Sequence, residues 1–569
     1  MEELGLLAVV GVLIVVAVSA FAPRLGVAAP VVLVVVGIGC SLIPGAPHLE
    51  IPPEWILAVV LPPILYSAAV NMPAMDFRRN FGPITALSVF LVVASAFASG
   101  AVIWALFPDL NFAAAVAVGA VISPPDAVAA TAIGKRLGLP HRLVTILEGE
   151  GLVNDATALV MMRSAIAAIA GSISFWGAIG DFAYAVVVAL AVGAVIGGLS
   201  VWIRSRLRQP VLTTAISFVV PFLAYIPAEE LHASGVLAVV VAGLVTGHFG
   251  VRKFTAQDRI AERMNWRTIQ LLLENGVFLL MGFELTAIVE DVVDARLGVL
   301  GAIGIGLLAT AVLLVVRLAF VAPLIGWLRL GQRQAERQVD RISGVLGRIE
   351  AGDYPAEQAH RVGRMTSFLR RQHADASFLT REGLGWRGGA VIAWSGMRGV
   401  VTLAAAQSLP ADLPYRSQLV LLAFTVAIVT LVLQGGTLPL VIRWLGVQGA
   451  SAEDARLELA RLTAEIADAA RVVLDNPELR RSNGEPFDPG VVSAVRDSSL
   501  AAAESLAASE DWIAGATPLQ QRRELQRMLV EAEQAALLEA RATGVYPSHV
   551  IEAAQQVIDS EAARLSGPA

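Results

Sequence analysis

The sequence predicts an all-α polytopic membrane protein of about thirteen transmembrane helices followed by a helical tail. Three observations carry this. Of the 569 residues, 56% are hydrophobic and 16% charged, against about 25% charged in a soluble domain. The apolar residues come in blocks of about 20, long enough as helices to cross a hydrocarbon core of roughly 30 Å. Basic residues cluster in every second loop between those blocks, the asymmetry that orients helices across a bilayer.

The blocks lie at about 5–22, 27–44, 52–70, 82–107, 112–133, 141–170, 180–203, 210–226, 233–249, 269–289, 297–328, 387–409 and 417–445, and are numbered here as spans 1 to 13. The loops after spans 1, 3, 5, 7 and 9, counted with Arg142 at the start of span 6, hold fourteen basic residues, from Arg24 to Arg267. Those after spans 2, 4, 6, 8, 10 and 12 hold only Arg296 and Arg416. This places the odd-numbered loops in the cytoplasm and the N-terminus outside, in a plasma membrane. Met1 to Leu6 lacks the basic region of a cleavable signal, so span 1 is read as a transmembrane helix. The single Cys40 excludes an intramolecular disulfide and any multi-cysteine metal site. A net charge of −6 makes no case for nucleic acid as a partner.

Residues 1–445 therefore read as a transmembrane domain, interrupted by an insert at 330–386 with nine Arg against seven acids and helix-like stretches at Gln332–Glu350 and Ala356–Arg371. Residues 446–569 form a cytoplasmic tail with 11 Arg against 20 acids and amphipathic runs at Glu453–Val473 and Pro518–Thr543. Neither segment shows metal-ligand spacing, a phosphate loop or a nucleotide fingerprint, so no cofactor is expected. Assembly or regulation by a solvated helical bundle is the expectation for the tail.

Two spans carry helix breakers at membrane depth. In span 5, Pro124 and Pro125 remove two backbone donors between Ser123 and Asp126. In span 12, Gly396 and Gly399 flank Arg398. With span 7 as a linker, spans 1–6 and 8–13 become two inverted six-helix repeats, and the broken spans 5 and 12 occupy matching positions. Matched breaks in inverted halves point to a transporter's substrate site. Asp126 is expected at the start of the second half-helix of span 5, where a carboxylate is favoured, and with Ser123, Asn154 and Asp155 is expected to bind the ion or proton.

Between the breaks in sequence, span 6 carries Glu150, Asn154 and Asp155 within a run of apolar residues. Ionisable groups at that depth cost roughly 3 kcal/mol on insertion scales and mark function. Glu150, about 7 Å along the helix axis from Asp155, is expected to pair with Arg398, leaving Asp155 free. A carboxyl group in low dielectric can take up a proton near neutral pH, and a carboxylate with neighbouring oxygens suits a hard cation. One site holding either species, opened alternately to each face, exchanges them. A single titrating acid suggests one proton for one monovalent cation, with no net charge moved. Elsewhere, Arg163 reads as a local pair or outer gate, Arg317 as paired or close to the cytoplasmic face, and Glu274 with Asn275 as a stabilising polar lining.

Four segments resemble the monovalent cation/proton antiporters, the sodium/proton exchanger family. Gly149-Glu150-Gly-Leu-Val-Asn154-Asp155-Ala156 resembles the family's Gly-Glu-Ser-Leu-x-Asn-Asp-Ala signature. Ile122-Ser123-Pro124-Pro125-Asp126 is similar to its first broken helix, Gly396-Met397-Arg398-Gly399 to its second, and Leu61-Pro62-Pro63-Ile64-Leu65-Tyr66 to its span-3 segment. The resemblance spans residues 5–445. It implies Asp155 as the ion- and proton-binding acid, with Asn154, Glu150 and Arg398 as structural or tuning partners. It also implies a core domain moving against a dimerising domain, in a homodimer. Pro125 stands where the family often has Thr, Gly151 where it has Ser, and Ser67 where some members have an acid; Ser123 is expected to supply the missing hydroxyl. Na+ is the cation expected from the resemblance, with K+, Li+ or a broad range as the alternative. A channel would need a carbonyl filter, which is not seen. An intramembrane protease would have to rely on Gly177 to Asp181, near a span end.

Overall fold

The computed structural model describes residues 2–25, 28–44, 52–169, 175–207, 209–293, 298–350 and 359–449, with short pieces between 472 and 537. The chain divides into two units, Met1–Gly449 and Ala450–Ala569. Among the described residues the only β-type pairing is an isolated bridge between Arg480 and Pro486, in the second unit. The tail helices expected at Glu453–Val473 and Pro518–Thr543 lie almost wholly outside the described residues.

In the first unit, ten helices are long and apolar enough to cross a membrane. Span 2 is a shorter apolar helix, Ala29–Ser41. Spans 5 and 12 are each split, into Phe112–Ile122 and Val128–Arg136, and into Trp386–Trp394 and Val400–Gln407. All thirteen expected spans are accounted for. Pro62-Pro63 and Pro124-Pro125 behave differently. Pro62 and Pro63 open the α-helical part of span 3 directly after a wider turn at Ile56–Val60, which absorbs the missing donors. Pro124 and Pro125 stop their helix outright.

The helices sort into two sets. Spans 1–3 pack with spans 7–10, chiefly span 2 along span 10 and span 9 against spans 3 and 7. Spans 4–6 pack with spans 11–13, chiefly span 5 against spans 4 and 6, and span 11 against spans 4 and 13. Each six-helix half thus gives three spans to each set, and span 7 joins the first. Small residues bring backbones together at these seams. A Cβ on Gly37 of span 2 would collide with the backbone of Leu279 and Gly282 in span 10, and one on Gly119 of span 5 with the backbone of Ala96 and Gly100 in span 4.

The insert begins without a break. Span 11 is one helix of 53 residues, Gly298–Glu350, and the chain returns as Ala359–Arg381. Asp375 on the returning helix binds Arg79 at 2.7 Å and Arg78 at 3.2 Å in the loop between spans 3 and 4. The Arg79 guanidinium also lies 4.8 Å from the Phe378 ring centre. At the insert's end, the Glu382 carboxylate accepts the Arg142 backbone N–H at 2.9 Å, satisfying one of the free donors that open span 6. The insert is therefore fastened to the start of the helix that carries Asp155.

Candidate functional site

Span 6 is a continuous helix, His141–Ile169, so Glu150, Asn154 and Asp155 are held rigidly. All three are buried, with Asp155 only 9% exposed. The two breaks cross beside them. The Asp126 N–H donates to the Met397 carbonyl at 2.6 Å. The Asn154 amide donates to the Pro125 carbonyl. Arg398 donates through Nε to the Ile122 carbonyl at 3.1 Å, and through its terminal nitrogens to the carbonyls of Ser123 and Gly396. The prolines leave carbonyls of the first half-helix without intrahelical donors. Arg398 places its charge at that negative helix end, and Asp126 sits at the positive start of the second half, where its Oδ1 accepts the Val128 N–H at 2.8 Å.

The glycines of the second break make this crossing possible. A Cβ on Gly399 would overlap the Asp126 carboxylate, and one on Gly396 the Arg317 guanidinium. On span 6, a Cβ at Gly151 would come within 2.6 Å of the Ala127 methyl. A serine there would press on the segment that carries Asp126, so its absence follows from packing.

The partner of Glu150 differs from the expected one. Arg317 of span 11, not Arg398, grips it, with Nη1 to Oε1 at 2.6 Å and Nη2 to Oε2 at 2.9 Å. Both side chains are 2% exposed. Arg317 Nε also donates to the Ile392 carbonyl at 3.1 Å, near the end of the first half of span 12. Each broken helix thus has an arginine at the end of its first half: Arg398 serves span 5 and Arg317 serves span 12. Arg398 is fully engaged by carbonyls, which is why it does not take the carboxylate.

A cavity of about 640 Å³ lies between the two helix sets. Its lining includes Pro124, Pro125, Asp126 and Asp155, and the sequence reading missed three polar neighbours there, Thr131, Gln270 and Thr402. Asp155 has no hydrogen bond or ion pair among the described residues. Two residues expected at the cation do not line this cavity. The Ser123 hydroxyl is spent on the Ala120 carbonyl of its own helix at 3.0 Å, and Asn154 is turned toward Pro125. Threonine hydroxyls in apolar helices are common and satisfy themselves locally, so nothing in the sequence singled out Thr131 or Thr402. The cavity reaches the surface at Lys135, Arg263 and Arg267, with Lys135 bound to Glu148 at 2.6 Å. Further along span 6, past Asp155, Arg163 pairs with Glu229 of span 8 at 2.7 Å, joining the two helix sets on the far side of the acid.

The family model for the transmembrane sodium/hydrogen exchangers matches residues 10–444. The chain belongs to the sodium/hydrogen exchanger family. As a member it is a multi-pass secondary transporter, a monovalent cation/proton antiporter and not an enzyme. An uncharacterized Na+/H+ exchanger of Mycobacterium tuberculosis is 28% identical over 560 residues, covering 96% of this chain and 93% of its own length. The Na+/H+ antiporter ApNhaP of Aphanothece halophytica is 27% identical, with 81% of this chain and 76% of the relative covered. A sodium, potassium, lithium and rubidium/H+ antiporter of Bacillus pumilus is 28% identical, with 72% of this chain and 57% of the relative covered. Among solved structures, the sodium proton antiporter MjNhaP1 of Methanocaldococcus jannaschii shares the fold. Its TM-score is 0.55 at 16% identity, with 78% of this exchanger and all of that chain covered.

Proposed function

We propose that this exchanger moves Na+, and with it Li+ or K+, against H+ by alternating access, one ion for one proton, with the two competing for Asp155. The observation that carries this is the state of Asp155: a buried acid facing a cavity, with no hydrogen bond or ion pair among the described residues. The other two span-6 acids are paired, Glu150 with Arg317 and Glu148 with Lys135, which leaves Asp155 as the acid of that helix without a partner among the described residues. Asp126, with its carboxylate beside Gly399 and tied to Val128, shapes the field around the ion. Thr131 and Thr402 offer neutral oxygens, which hard cations accept as ligands. The naming of the Bacillus relative favours a broad cation range over strict Na+ selectivity.

The basic residues at the cavity mouth support, by the positive-inside rule, a cytoplasmic opening in a plasma membrane with the N-terminus outside. Movement of spans 4–6 and 11–13 against a dimeric scaffold of spans 1–3 and 7–10 then carries Asp155 to the other face. In everted vesicles with a pH-gradient dye, Na+, Li+ and K+ each dissipate the gradient, and Asp155→Asn abolishes the response at unchanged protein level. Cation-driven proton movement surviving in Asp155→Asn refutes the assignment. A rate that follows the imposed membrane potential refutes the one-for-one exchange.

A further inference from the structure

We propose that Glu274 is a one-sided loading residue: a second carboxylate that draws the cation toward Asp155 from the cytoplasmic face and has no part in binding from the outer face. Glu274 lies on span 10 and lines the same cavity as Asp126 and Asp155. The three acids come from two helix sets, Asp126 and Asp155 from spans 5 and 6, and Glu274 from span 10. Its carboxylate is held by Gln270, whose Nε2 donates to Oε1 at 2.6 Å. Gln270 is in turn fixed by Ser67 of span 3, whose hydroxyl donates to the Gln270 Oε1 at 3.0 Å. The chain Ser67, Gln270, Glu274 thus aims a carboxylate from the scaffold side across the cavity. That carboxylate accepts a single hydrogen bond among the described residues, so it retains the capacity for a cation.

The charges around it are distributed along the cavity. At the mouth stand Arg263, Arg267 and the Lys135–Glu148 pair. None of these bases is bonded to Glu274, Asp126 or Asp155, and the two buried arginines nearby are taken by carbonyls and by Glu150. A cation entering past the basic rim is therefore attracted inward by three acids, two of which travel with the moving helices. Glu274 does not. On the alternating-access reading above, Asp155 leaves Glu274 behind when the site turns outward. Glu274 then strengthens cytoplasmic loading and contributes no charge to the transported complex, so the exchange ratio is untouched by it.

The test compares the two faces. Everted vesicles present the cytoplasmic face and right-side-out vesicles the outer one, each titrated with NaCl and with KCl. Glu274→Gln keeps the shape and can still accept from Gln270. It is expected to raise the cytoplasmic KM about tenfold, the effect of one nearby charge in a partly polar cavity, while the outer KM stays at the wild-type value. Glu274→Asp restores the charge and recovers much of the loss. An unchanged cytoplasmic KM, an equal rise on both faces, or equal impairment in Gln and Asp variants overturns the proposal in favour of a packing role. If Glu274→Gln does not reach the membrane, Glu274→Asp decides alone: withdrawing the acid by one methylene must raise the cytoplasmic KM and leave the outer one standing. Failure here is separate from failure of the exchange reading, in which Asp155 as the exchange site falls if Asp155→Asn transports.

Discussion

Replacing Arg317 with Met keeps most of the side-chain volume and deletes the charge that faces Glu150. Glu150 and Arg317 share two hydrogen bonds of 2.6 and 2.9 Å and are each 2% exposed. No water-filled route is needed for the wild-type pair, because each charge neutralises the other. Once the guanidinium is gone, the carboxylate is left buried and the Ile392 carbonyl loses its donor. Breaking a buried pair on one side costs about 3–5 kcal/mol. At ~1.4 kcal/mol per decade, that lowers the folded-to-unfolded ratio by roughly a hundredfold to a few thousandfold. Replacing both members, Glu150→Gln with Arg317→Met, removes the stranded charge and should recover about half or more of the loss. Reversible SDS unfolding of the purified protein in mixed micelles measures the four corners of this cycle. The same cycle with Arg398→Met in place of Arg317→Met is the control, since Arg398 is bound to carbonyls. The reasoning is refuted if Arg317→Met costs less than ~1 kcal/mol, or if Glu150 couples more strongly to Arg398 than to Arg317.

The remaining predictions concern transport. Competition at Asp155 fixes a sign for pH: acidifying the cytoplasmic side protonates the acid and expels the cation, so the apparent KM for Na+ rises as pH falls. The limiting slope is about tenfold per pH unit for one competing proton; a flat KM with a falling maximal rate would contradict direct competition. Gly399→Ala forces a methyl against the Asp126 carboxylate, at a cost of ~1–3 kcal/mol for overpacking, and should depress exchange in vesicles. Gly436→Ala, with open space at its Cβ, should exchange as wild type, and equal activity of the two variants would count against the tight crossing.

Much of the fold was legible along the chain because its determinants are local. The bilayer demands apolar runs of a set length, so span positions show directly in composition. Pro124-Pro125 and the Gly396 to Gly399 segment announce the two breaks, since a missing donor or a missing side chain acts on its own turn. The helical insert was readable too, but its uninterrupted continuation of span 11 and its grip on Arg78, Arg79 and Arg142 were not. Those contacts join residues hundreds of positions apart.

What the sequence alone determined, then, is the class of machine: a membrane-spanning helical protein with an acid on span 6 and two interrupted helices in matching places. What only the tertiary structure decided is who faces whom. Arg398 was the expected partner of Glu150, and the choice of Arg317 rests on how span 11 is rotated and shifted against span 6, 167 residues away. The same packing turned Ser123 and Asn154 away from the cavity and brought Thr131, Thr402 and Glu274 to it. Apolar periodicity specifies that a helix is buried but only weakly which of its polar residues meet. That is set by close approach of backbones at small residues such as Gly37 and Gly119, and of the Asp126 carboxylate at Gly399, interactions that exist only once the helices are assembled.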